Sequence, residues 1–434
     1  MAVWVRNRGG GWAQVGVAAY ALYFLSFLLI SWQLLSGLDS DGHGHGLGLG
    51  TSGSSVFHSP EEAFRLDYET MEEELKVFVY PDGDPDTYFH TARKLTGKYA
   101  SEGYFFKNIR ESPFLTHDPL RAHLFFLPIS CHKMRAKGLS DQRIIDEVDK
   151  YVHHLKFKYP YWNRTLGADH FFVTCHHIGV KATKGVPHLI KNSIRVVCSS
   201  SYADHDYIPH KDVTLPQVQL PFSHPPGGND IKNRNTLAFW AGRSDSRLKH
   251  DLIAMWDNDT ELDIQNNRID LRATGQLVYM DKLYKSKFCL CPNGPIGTSR
   301  IADSIHFGCI PVIMSNYYDM PFNDILDWSK FSVVLKETDV YQLKDILRSI
   351  SEKHVITLNQ NIVKIQRHFK WNTPPVRLDA FHMVMYELWL RRHLIRYAIV
   401  YGAMRVLCYC SQYVSLTNNV IMMLVLRERK MKDV

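Results

Sequence analysis

The chain lacks most of the signatures that would assign it at a glance. Its 434 residues carry a net charge of only +7, which is not the dense basic footprint of a nucleic-acid binder. The glycine loop at residues 292–297 is neither a Walker loop nor a G-x-G-x-x-G fingerprint, so neither common nucleotide signature marks it. Eight cysteines are present, but their spacing reveals no disulfide connectivity. Cys289 and Cys291, two apart on one strand face, have no second ligand pair at zinc spacing. No internal repeat is visible. With 45% apolar and 22% charged residues, wholesale disorder is excluded, and the length is comfortable for two domains.

Charge is absent altogether from residues 9–38, which follow Arg6 and Arg8 and precede Asp39 and Asp41. About 20 apolar residues cross a bilayer, and flanking positive charge stays cytoplasmic. A cleaved signal peptide would have a shorter apolar core and a small-residue cleavage site, so an uncleaved anchor is favoured. The expectation is a cytoplasmic tail (1–11), a transmembrane signal anchor (12–35) and a flexible stem (36–70). The stem begins in the Gly- and Ser-rich "DSDGHGHGLGLGTSGSS". Sequons at Asn163 and Asn258 agree with a lumenal body.

Within the body, apolar runs alternate with helical periodicity. "KVFVYP", "AHLFFLPIS", "DHFFVTC" and "IRVVCSS" read as strands, with helical segments near residues 88–99. A helical stripe of Ile144, Val148, Val152 and Leu155 follows. Pro and Gly cluster in "PFSHPPGGND", a linker, and the alternation restarts with "TLAFWAG", "FCLC", "CIPVIM" and "FSVVL". The expected fold class is α/β: two doubly wound, Rossmann-like domains (71–225 and 230–360) facing a cleft, with ligands beyond the strands' carboxyl ends. Residues 361–397 read as helices packing back on the body, the last of them amphipathic. The apolar tail, 398–434, is a packed or surface-lying segment, with a second membrane contact as the alternative.

Chemistry concentrates in residues 287–316, where a strand meets a Pro- and Gly-rich loop and then a helix opening with Thr298, Ser299 and Arg300. A helix start presents unpaired N–H groups, and an arginine fork suits two phosphate oxygens. Arg243 and Arg247 in "WAGRSDSRLK" follow another strand of the same half. An arginine in a first helical turn opposes the helix dipole unless an anion offsets it. The plain alternative is a set of solvent-facing helix-start arginines. Asp82, Asp84 and Asp86 in "YPDGDPDTY" imitate a metal site, but Asp, Gly and Pro also build tight turns, and the turn is favoured.

These stretches, with "YASEGYFFKNI", "FLTHDPLRAHLFFLPIS", "DHFFVTCHHIG", "PHKDVTLPQ" and "MPFNDILDWSKFSV", resemble in combination and order the exostosin-like glycosyltransferases, particularly the large plant set. The resemblance runs over about residues 76–397. It implies a GT-B fold, a single-pass type II Golgi membrane protein and an inverting mechanism. The UDP-sugar donor would bind the C-terminal domain, with no metal or other cofactor, and the acceptor would be a polysaccharide or glycan such as a cell-wall polymer. Ser299 and Arg300 would face the diphosphate, with Arg243 and Arg247 opposite and Asp303 toward the sugar or ribose. The general base would come from the first half, with Glu102, His176 and His177 as candidates. Relatives often read Cys-His-Asp where this chain has Cys-His-His, which places His177 at the aspartate position. Two alternatives stay open: a catalytically weak, membrane-anchored partner in a glycosyltransferase complex, and a lumenal carbohydrate-binding protein.

Overall fold

The computed structural model describes residues 4–6, 12–14 and 55–391, apart from 93, 98, 199, 204–206, 219–224, 229–230, 267–268, 270–273 and 293–299. Two units separate, Met1–Gly53 and Ser54–Val434. In the first, strands β1 (Trp4–Arg6) and β2 (Trp12–Gln14) pair antiparallel. The expected anchor overlaps β2 and otherwise lies outside the described residues, as does the tail 398–434. Among the described residues, no helix is long and apolar enough to cross a membrane.

The second unit opens with α1 (Glu61–Glu74), whose Phe64, Tyr68 and Met71 recur at helical spacing and are buried. Residues 61–70, expected to belong to a flexible stem, are therefore part of a packed helix. The Gly- and Ser-rich composition behind that expectation ends before them. The first half continues through β3 (Val77–Val79), α2 (Ala100–Glu111), β4 (Leu115–Thr116), β5 (Leu124–Phe126), α3 (Cys131–Ala136) and α4 (Asp141–Lys158). Then come β6 (His170–Thr174), α5 (His177–Lys184), α6 (Pro187–Asn192), β7 (Ile194–Val197) and β8 (Val213–Thr214). All six of its strands run parallel in the order β4-β3-β5-β6-β7-β8.

The second half repeats the plan. β9 (Thr236–Gly242), α7 (Arg247–Trp256), β10 (Leu262–Asn266), α8 (Thr274–Lys285) and β11 (Ser286–Pro292) come first. α9 (Arg300–His306), β12 (Ile310–Met314) and β13 (Val333–Leu335) follow. Their parallel order is β10-β9-β11-β12-β13. Strands β6, β7 and β12 are buried at every position, which is why they read in sequence as continuous apolar runs. Each sheet reverses its direction of growth once, between β3 and β5 in the first and between β9 and β11 in the second. Such switch points open a crevice at the strands' carboxyl ends.

Those ends converge. Ser201, after β7, bridges Tyr318, after β12; Tyr202 N–H donates to the Tyr317 carbonyl. The Ser200 hydroxyl donates to the Asp319 carbonyl at 2.6 Å. Behind the sheets lie α10 (Leu343–Ser349), α11 (Glu352–Phe369) and α12 (Ala380–Leu390). The expected amphipathic character of α12 is not found: Ala380 through Trp389 are all buried. The helix is wedged among other elements, Phe381 against Phe105 and Phe114, Tyr386 against Phe64 and Tyr68. A helix without an exposed face cannot have a polar stripe.

Two further differences stand out. The described residues among 88–99, expected to be helical, form turns, bends and a bridge of Phe89 to Ile129 until α2 begins at Ala100, because His90 and Gly97 take φ of 61° and 82°. A right-handed helix cannot include either value. Disulfides, which spacing left open, link Cys175 to Cys198 across the ends of β6 and β7, and Cys289 to Cys309 across β11 and the start of β12. Among the described residues Cys131 and Cys291 are free and buried.

Candidate active site

In the first half Glu102 sits in the first turn of α2 and is 1% exposed. One carboxylate oxygen accepts from the Ser130 hydroxyl at 2.5 Å, the other from the Cys175 N–H at 3.1 Å. Burial pushes its carboxyl up to about 7, while these two hydrogen bonds pull the other way. Ser130 also caps α3, accepting from Lys133 N–H, and Cys175 leaves β6. Glu102 therefore pins α2, the exit of β5 and the exit of β6 to one another.

Beside it the rings of Tyr99, His132, His176 and His177 form a cluster. His132 stacks on His176 at 4.7 Å, Tyr99 lies 4.5 Å from His176, and His176 lies 4.2 Å from His177. His176 caps α5: its Nδ1 accepts from Ile178 N–H at 3.1 Å, so the neutral ring carries its proton on Nε2 and presents a donor there. His177, the first residue of α5, is exposed. Sequence reasoning brought out Glu102, His176 and His177, which the fold gathers at adjoining strand exits. It missed Tyr99, Ser130 and His132. Ser130 ends the strand run "LFFLPIS" and His132 lies two residues beyond it, so a search of every strand exit would have found them.

In the second half Arg300 opens α9 and reaches back to β9. Its Nε and Nη2 both donate to the Ala241 carbonyl, at 3.0 and 2.5 Å, and its guanidinium lies 5.7 Å from the Trp240 ring centre. Gly242 is what allows this crossing, because a Cβ there would fall 2.4 Å from Arg300 Nη2. Part of the donor fork expected to face a diphosphate is thus engaged with the protein itself. Asp303 is 1% exposed; it hydrogen-bonds the buried Tyr279 hydroxyl, whose pKa burial and then the Asp303 charge push upward. Arg243, just past β9, is exposed, and Arg247 is 94% exposed with Asp251 at 3.9 Å. Ser299 and the loop 293–299 lie outside the described residues.

The remaining candidates resolve simply. Asp84 accepts from Asp86 N–H at 2.9 Å, a local turn bond. Asp82 accepts from Lys158 at 2.5 Å and from Tyr159 at 2.7 Å. Among the described residues, no three His, Cys, Asp or Glu are grouped to hold a metal. Asn163 and Asn258 are both exposed.

The two parallel sheets touch at their carboxyl ends through residues 200–202 and 316–319, with a buried acid network in one half and an anchored arginine in the other. Residues 71–350 match the Exostosin GT47 domain, and the chain belongs to that family. A probable glycosyltransferase of Arabidopsis thaliana is 36% identical over 343 residues, 76% of this chain and 71% of the relative. Another from the same plant is 35% identical over 339 residues; the match takes in 76% of this chain and 64% of that longer relative, just under two thirds. A probable beta-1,4-xylosyltransferase of Arabidopsis thaliana is 28% identical across 72% of this chain and 81% of its own. The solved glycosyltransferase of Rickettsia africae shares 10% identity at a TM-score of 0.33, covering 74% of this chain and 99% of that one. That likeness is too slight to bear on the fold.

Proposed function

We propose that the protein is an inverting glycosyltransferase that moves a sugar from a UDP-sugar to a polysaccharide or glycan acceptor, without a metal ion. On this reading it is anchored in the Golgi membrane with its body in the lumen. The observation that carries the proposal is the contact between the carboxyl ends of the two sheets, residues 200–202 after β7 against 316–319 after β12. An acceptor hydroxyl attacks the anomeric carbon, its proton passes to a base, and the bond to the phosphate oxygen breaks with its electron pair leaving on UDP. Arg300, Ser299 and Arg243 offset the charge of the leaving diphosphate, the task a metal performs elsewhere. Of the three candidate bases, His177 has the exposed ring. The oxygens of Glu102 are engaged with Ser130 and Cys175, and His176 Nδ1 with Ile178. Glu102 and His176 act on this reading as positioning residues.

The test is calorimetric binding of UDP to the full chain in detergent and chelator, beside Arg300→Ala. Binding in the native chain and a loss of more than about tenfold in the folded variant is the expected outcome. A folded native chain that ignores UDP, with or without manganese, would favour the role of a complex partner.

A further inference from the structure

The outer side of α2 borders a hollow of about 320 Å³, at the small end of the range for ligand pockets. Gly103, Phe106, Lys107 and Arg110 line it from the helix at i, i+3, i+4 and i+7, one continuous stripe. His90, Thr91, Ala92, Lys94 and Leu95 line it from the other side. Gly103 makes the close approach possible, since a Cβ there would fall 2.7 Å from the Lys94 carbonyl oxygen and 2.8 Å from Leu95 Cδ2. The floor is apolar, with Phe106 2% exposed and Leu95 beside it.

The rim is cationic. Lys94, Lys107 and Arg110 border the hollow, and among the described residues none of them forms an ion pair with a carboxylate. Arg110 is instead held in place by donating to the His90 carbonyl. Glu111 also borders the hollow, and among the described residues it pairs with none of these cations. Three like charges around one concavity repel one another unless an anion enters. An apolar floor beneath cationic walls suits a flat C–H face joined to a carboxylate, which is the chemistry of a uronic acid ring.

We propose that this hollow binds a carboxylate-bearing sugar unit of a glycan, separately from the donor crevice. It rests on the reading that the acceptor is a glycan, and names an acidic unit as part of it. The test is titration of the full chain with a uronic acid trisaccharide, its carboxyl-reduced neutral counterpart, and inorganic phosphate. The same titrations are run on Lys107→Ala/Arg110→Ala, with UDP binding as the control. The expected result is binding of the acid form at least about tenfold tighter than the neutral one, weakening with salt and lost in the double variant while UDP binding persists. Equal affinity for acid and neutral sugars, or an unaffected double variant, would overturn the proposal. Phosphate binding as tightly as the acid sugar would reduce the hollow to a general anion site and overturn the glycan assignment. A chain that binds the acid sugar but not UDP would sink the transferase reading and leave this site standing.

Discussion

The two halves share a parallel sheet with a switch point, yet they end in different chemistry. In the first half the crevice end is a web of groups that gain and lose protons: Glu102 bonded to Ser130 and Cys175, beside the rings of Tyr99 and three histidines. In the second it is fixed positive charge, Arg300 lashed to the Ala241 carbonyl over Trp240. On the proposed function, a scaffold repeated twice would separate two tasks that a transferase needs, proton movement on one side and anion stabilisation on the other. The difference lies in the residues at strand exits, while the sheets beneath them are alike.

The comparison breaks most visibly at His177 and Arg300. His177→Ala should lower kcat by about 100-fold or more while UDP affinity holds, whereas Arg300→Ala should lose UDP affinity first. Steady-state kinetics with donor and acceptor varied separately would read the split. If both variants lose UDP binding equally, the division of labour is wrong. His177→Asp sharpens the same point, since retained activity would show that a base of either kind serves at that position.

A smaller effect belongs to the buried acid. Glu102→Ala leaves the Ser130 hydroxyl and Cys175 N–H without their acceptor, at a cost of roughly 1–3 kcal/mol in urea unfolding. Its carboxyl, raised from 4.5 to about 7 in the folded chain, keeps a proton there that the unfolded chain has already released. The folded state therefore holds more protons between those values, and its stability falls as pH rises through them. Glu102→Gln should flatten that slope relative to the native chain, and parallel slopes would show that the group titrates normally. The smallest expected change is from Gly242→Ala. Its Cβ would displace Arg300 from the Ala241 carbonyl and weaken UDP binding several-fold with little change in melting temperature. Unchanged affinity would mean that the arginine acts without this anchor.

Much of the plan was legible because parallel strands buried on both faces leave unmistakable apolar runs; "TLAFWAG" coincides with β9. Strands β4 and β8, two residues each, are too short to leave any pattern. The disulfides and the Gly242–Arg300 crossing were invisible because each depends on which strands are neighbours, and the order of a sheet is not written in any one segment. Helix α12 misled for the opposite reason. It was expected to be amphipathic, but α1, α2 and α11 enclose it.

Helix α12 has a consequence for how the chain is made. Phe105 packs on Phe126 and Phe171 of the first half, but it and Phe114 also meet Phe381, which is added much later. Synthesis runs from the amino end, and domains usually close as they emerge. Here the first half leaves the ribosome with an unfilled apolar groove and keeps it until residues 380–390 have been added. A chain stopped before that point would expose the groove throughout its life, and so the finished first half depends on a helix translated long after its own strands.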